Sequence, residues 1–128
     1  MPKSNKVIIP SGITPYPENH EITAADILAR FFKADVEFIK RSSHRTPDIM
    51  IGNLRWEIKS PTGKGKHNIQ HQLQVAALQS PNIVLDSRRS KIHQTRIDSE
   101  AERQFKIIKR AKKLIIITKS GKVLEIKK

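Results

Sequence analysis

The chain has 128 residues, 37% of them hydrophobic, with 25 Lys+Arg against 12 Asp+Glu and no cysteine. That is room for one domain around one core, too apolar for a disordered basic tail. It also lacks the thiols that a disulfide scaffold, a thiolate zinc site or a cysteine nucleophile requires. The net charge of +13 points to a polyanionic partner, either nucleic acid or an anionic membrane. The charge is uneven: residues 1–85 carry 11 basic and 7 acidic side chains, residues 86–128 carry 14 and 5.

Residues 1–16 read as an irregular arm, rich in proline (Pro2, Pro10, Pro15), with one short strand at Lys6–Ile9. A helix follows through Lys33, its apolar side supplied by Leu28, Phe31 and Phe32. The Thr23/Asp26 spacing suggests a cap, with Asp26 as the capping acid. Ala34–Lys40 alternates as a strand, and Ser42–Arg45 is a polar turn. Asp48–Ile51 and Arg55–Lys59 read as a hairpin turning at Gly52-Asn53. After the loop Ser60–Lys66, helical spacing of Ile69, Leu73, Ala76 and Ser80 predicts a helix over about 67–79. Asn82–Asp86 is a short buried strand, Ser87–Gln94 a basic loop and Asp98–Lys112 an amphipathic helix. Leu114–Lys119 and Lys122–Ile126 form a last hairpin at Ser120-Gly121. The order is that of one mixed α/β domain over 17–128, with a core at 17–86 and a basic extension at 87–128.

The chemistry concentrates in Pro47-Asp48 and Glu57-Ile58-Lys59. On a strand, Glu57 and Lys59 share one face while Trp56 and Ile58 take the other, and a short hairpin brings Asp48 beside Glu57. Two carboxylates and an ammonium at one sheet end suit metal-assisted phosphodiester hydrolysis. Asp48, Glu57 and the Ile58 carbonyl are the expected ligands of Mg²⁺, or of Mn²⁺ or Zn²⁺, and Lys59 orients water or stabilises charge. Glu21 starts the apolar stripe Ala25–Leu28–Phe32 and is the expected fourth acid. Asn68, Gln72 and Gln79 flank the stripe of the second helix and can assist the water or Lys59. Lys64, Lys66, Arg88, Arg89, Lys91 and Arg96 are the expected backbone-binding cations.

The run TPDIMIGNLRWEIKSPTG resembles the PD-(D/E)xK nuclease signature. With Glu21, Pro47-Asp48, Trp56–Ser60 and Gln79–Ile83, residues 17–86 are similar to the C-terminal toxin domains of CdiA-type contact-dependent growth inhibition proteins. The resemblance implies an αβββαβ core, a metal-dependent nuclease acting on tRNA in preference to DNA, and an acidic immunity protein as partner. The longest aliphatic run, Leu114–Ile117, is far short of the roughly 20 residues of a membrane span, and Val7–Ile9 is too short for a signal peptide. A soluble chain acting in the cytoplasm, without a membrane partner, is therefore expected.

Competing readings stand beside these. Asp48 and Glu57 also fit a DNA endonuclease of the same fold, a non-catalytic nucleic-acid-binding module, or a surface hairpin whose Glu57 pairs with Lys59 or Arg55. His67 and His71 have metal-ligand spacing in a polar setting, His44 and His93 fall in basic loops, and Trp56 reads as core. Lys106, Lys109, Arg110, Lys112 and Lys113 read equally as a solvated helix face or as part of the basic patch.

Overall fold

A computed structural model describes residues 5–43 and 46–128; His44 and Arg45 of the predicted polar turn lie outside the described residues. Seven strands form one mixed sheet in sequential order, β1 to β7. Strand β1 (Val7–Ile8) runs parallel to β2 (Val36–Phe38), joined by helix α1 (Asn19–Phe32). Strands β3 (Ile49–Ile51) and β4 (Leu54–Lys59) continue antiparallel. Two parallel crossovers follow, through α2 (Asn68–Gln79) to β5 (Asn82–Asp86) and through α3 (Gln94–Ile107) to β6 (Lys113–Ile117). Strand β7 (Val123–Ile126) closes the sheet antiparallel to β6.

The strand period of two divides the core into two layers. Val84, Ile115 and Ile117 join Trp56, Ile58 and the α1 residues Ala24, Ala25, Leu28 and Ala29 on one side. Ile83, Leu85, Leu114 and Ile116 pack against α2 and α3 through Ile69, Leu73, Ile97, Ala101 and Phe105 on the other. The three fully buried alanines let α1 lie close on the sheet. Strand β6, from the basic C-terminal third, lies inside the sheet, and its four aliphatic residues are buried. Trp56 is core, as its alternation predicts. Among the described residues no helix is long and apolar enough to cross a membrane.

Three expectations are corrected. Helix α1 begins at Asn19, and Glu21 accepts the Glu18 backbone N–H at 2.9 Å. Asp26 is therefore no cap; it sits mid-helix in an i,i+4 ion pair with Arg30. The strand at Ala34–Lys40 shrinks to Val36–Phe38. The last helix runs Gln94–Ile107, starting four and ending five residues earlier than its apolar spacing suggests. It stops because the next residues must cross to β6: the Lys112 N–H already donates to the Pro81 carbonyl at 2.7 Å.

Pairing of Ile51 with Leu54 leaves Gly52-Asn53 as a two-residue turn, with Gly52 at φ 59° and Asn53 not positive. That is the type II′ pattern, which wants glycine first and so uses the order Gly-Asn. A Cβ at Gly52 would meet nothing within 4 Å, so backbone strain alone decides the cost of substitution. Gly52→Ala is expected to destabilise by about 1 kcal/mol, read by urea denaturation.

Candidate active site

The hairpin register places Ile49 opposite Trp56, hence Asp48 opposite Glu57 on the face away from α1. Asp48 is fixed from both sides. Its N–H donates to the Trp56 carbonyl at 3.1 Å, and its carbonyl accepts the Ile39 N–H at 3.0 Å. Its Oδ2 accepts the Ile58 N–H at 2.9 Å, which puts the Ile58 peptide beside the carboxylate. Its Oδ1 pairs with Arg41 at 2.9 Å.

Glu57 is 2% exposed, so the hairpin is not a surface one, although the pairing of Glu57 with Lys59 that this reading expects is present. Its Oε2 lies 3.1 Å from the Lys59 ammonium, as same-face geometry requires, while its buried Oε1 has no hydrogen-bond partner. Burial pushes the Glu57 carboxyl up to about 7; the charge of Asp48 adds to the rise, and Lys59 offsets only part of it. An orphaned carboxylate oxygen facing a second carboxylate is costly unless something cationic or protic completes it. The donor set, two carboxylates beside a backbone peptide, suits a hard divalent cation that keeps several waters. Among the described residues no group of three or more His, Asp or Glu side chains is placed to hold a metal ion. Glu21 spends one carboxylate oxygen on the Glu18 N–H. It borders the same cleft as Asp48, a space of about 90 Å³ that Thr14–Pro17 also line.

The other predicted residues separate. Gln72 and Gln79 are half-buried on α2. Asn68, at the start of α2, has a buried Oδ1 without a hydrogen-bond partner, and its amide Nδ2 would lie 2.8 Å from a Cβ at Gly63. Gly63 thus lets the 60–66 loop pack against α2. Lys64, Lys66, Arg89, Lys91 and Arg96 are exposed. Arg96, in the first turn of α3, donates to the Lys66 carbonyl at 3.4 Å, which joins the 60–66 loop to the start of that helix. Arg88 behaves differently. Its guanidinium makes a two-pronged contact with the fully buried Asp86, at 2.7 and 2.9 Å, and also donates to the His20 carbonyl at 2.7 Å. Arg88 ties the first turn of α1 to the end of β5. His67 and His71 are both exposed.

Sequence reasoning missed Arg41 and Asp86. Arg41 follows β2, and only the register, which sets Ile39 beside Asp48, brings it to the carboxylate. Asp86 had a usable signal: an acid directly after three aliphatic strand residues, two residues before an arginine.

The family model of the contact-dependent growth inhibition CdiA C-terminal domain matches residues 45–123. That range contains Asp48, Glu57 and Lys59 and extends well past residue 86, where the resemblance was readable, but it leaves out α1 and Glu21. Among solved structures, one chain of the CdiA-CT/CdiI toxin and immunity complex from Burkholderia pseudomallei is similar in fold, with a TM-score of 0.69 and 23% identity. The match covers 97% of this chain and 100% of that one. No curated protein matches the chain. With more than half of its length matched by the family model, the protein belongs to the contact-dependent growth inhibition CdiA C-terminal domain family.

Proposed function

We propose that this domain is a toxin of the PD-(D/E)xK nuclease type, a metal-dependent endonuclease whose substrate is RNA, with tRNA favoured over DNA. The observation that carries the reading is the buried Glu57, with one oxygen unpartnered, across from Asp48 and 3.1 Å from Lys59. Asp48 and Glu57, with the Ile58 carbonyl, would hold Mg²⁺, Mn²⁺ or Zn²⁺. When bound, such an ion polarises the phosphate and makes an attached water more acidic.

The chain's own residues do the rest. Lys59, held beside Glu57, orients the attacking water and meets charge building on phosphorus. Arg41, 41% exposed, can leave Asp48 for a phosphate oxygen of the incoming strand. Glu21 lines the cleft next to Asp48, and its role in this reading is to hold water there. Lys64, Lys66, Arg89, Lys91 and Arg96 grip the backbone. Replacing Lys64, Lys66 and Arg96 by glutamine is expected to lower the slope of log affinity against log salt by about 2. Fluorescence anisotropy with labelled tRNA in EDTA reads this directly. An unchanged slope would place the RNA elsewhere.

The solved neighbour is a chain of a toxin and immunity complex, which supports a cognate immunity protein for this domain; a net charge of +13 suits an acidic one. The test is incubation with total tRNA, plasmid and single-stranded DNA, in Mg²⁺ or in EDTA, with Asp48→Ala and Lys59→Ala alongside. The expected result is cleavage of tRNA only with the metal, reduced about 10²-fold or more in both variants. Cleavage that persists in both variants removes the assignment. Binding without cleavage in any divalent metal would favour a nucleic-acid-binding module.

A further inference from the structure

A larger cleft lies at the other end of α1 from Glu21. It measures about 300 Å³, the lower bound of clefts that enclose a small ligand, and its apolar wall is Phe32, Leu54 and Trp56. Helix α1 has 14 residues and so spans roughly 20 Å. Phe32 ends it at this cleft, whereas Glu21 and Asp48 border the space at its start. This is a separate place on the molecule.

Its rim carries four lysines, Lys112, Lys113, Lys127 and Lys128, against one acidic side chain, Glu125. Lys113 shares the α1-side face of β6 with Ile115, because they are two residues apart. The register Leu114 to Ile126 continues to Lys113 opposite Lys127, on that face. Like charges directly opposite repel, and neither lysine has an ion-pair partner among the described residues; Lys112 adjoins them, also without one. An anion between the ammonium groups relieves that repulsion. Glu125, opposite Ile115, adds one acceptor at the cleft. Leu54, 40% exposed, and the half-buried Phe32 offer an apolar wall for a planar ring. An anionic group, a planar ring and a donor facing Glu125 together describe a nucleotide.

We propose that this cleft is a second nucleic-acid site, which seats one unpaired nucleotide of the substrate strand away from the cut. The phosphate lies on Lys113 and Lys127 and the base lies against Phe32 and Leu54. The proposal rests on the nucleic-acid reading above, but its test does not depend on cleavage. Trp56 is the only tryptophan and lines the cleft, so its fluorescence reports occupancy. Adenosine 5′-monophosphate, adenosine and inorganic phosphate are titrated in EDTA against the wild type, Lys113→Glu, Lys113→Arg and Asp48→Asn. The monophosphate is expected to give a saturable change, with adenosine and phosphate each about tenfold weaker. Lys113→Glu weakens the monophosphate about tenfold, Lys113→Arg restores it, and Asp48→Asn leaves it unchanged. In parallel, tRNA affinity in EDTA falls about fivefold or more in Lys113→Glu. No saturable change, or full affinity in Lys113→Glu, overturns the proposal. So does unchanged tRNA affinity, which would make a free nucleotide the ligand. Failure of the nuclease reading shows separately, as absence of cleavage by a wild type that still binds the monophosphate.

Discussion

Glu57→Gln is expected to lower tRNA cleavage by roughly 10²–10³-fold and at the same time to make the protein more stable above pH 7. The carboxyl is nearly inaccessible, and burial first, then Asp48, raise it to about 7 from an ordinary value of 4.5. Between those two values the folded state keeps a proton that the unfolded state has lost. Stability therefore falls as pH rises through this window, and above pH 7 the fold carries the full penalty of a desolvated carboxylate, about 3 kcal/mol. Glutamine keeps the shape and removes that charge, while Lys59, 21% exposed, can turn its ammonium to solvent. Urea denaturation at pH 8 is expected to show the variant ahead by about 2–3 kcal/mol, with the gap closing toward pH 4. A variant less stable than wild type at pH 8 would mean that the carboxylate is structurally compensated, contrary to its unpartnered oxygen.

The second large effect is on folding. Arg88→Ala leaves Asp86, 0% exposed, as an unpaired charge and cuts the contact with the His20 carbonyl. Breaking one side of a buried pair costs about 3–5 kcal/mol, a large share of a domain's stability. Removing both partners, as Asp86→Ala with Arg88→Ala, is expected to cost no more than the single arginine change, because no orphaned charge remains. Arg89→Ala, at an exposed residue one position along, should stay within about 0.5 kcal/mol. Equal costs for Arg88→Ala and Arg89→Ala in urea denaturation would return Arg88 to the free surface cations.

These two residues also mark how far the sequence could be read. Glu57 and Lys59 were legible because strand alternation is short-range: two residues apart on one strand fixes one face whatever the rest of the chain does. The hairpin at Gly52 brought Asp48 across by the same local logic. The order of elements was legible too, since each carries its own period. Helix ends were not. Asp26 looked like a cap, although the helix starts one turn and more before Thr23, where Glu18 and Glu21 bond each other. Long-range partners were hidden altogether. Arg88 reaches His20 across 68 residues, and Arg41 reaches Asp48 only through the pairing of β2 with β3. The composition of the basic loop gave no means of telling Arg88, spent on a buried acid, from Arg89, which is exposed and touches only the His20 ring at 3.0 Å.

The proposed metal site requires Asp48 and Glu57 to take a divalent cation jointly. Calorimetric titration of Mn²⁺ into the wild type, Asp48→Asn and Glu57→Gln at pH 7, in two buffers of different ionisation enthalpy, tests it most directly. The wild type should bind saturably and release about half a proton per ion, as a Glu57 carboxyl with a pKa of about 7 ionises, and both variants should lose the binding. Undiminished binding in both variants, or none in the wild type, would contradict the account.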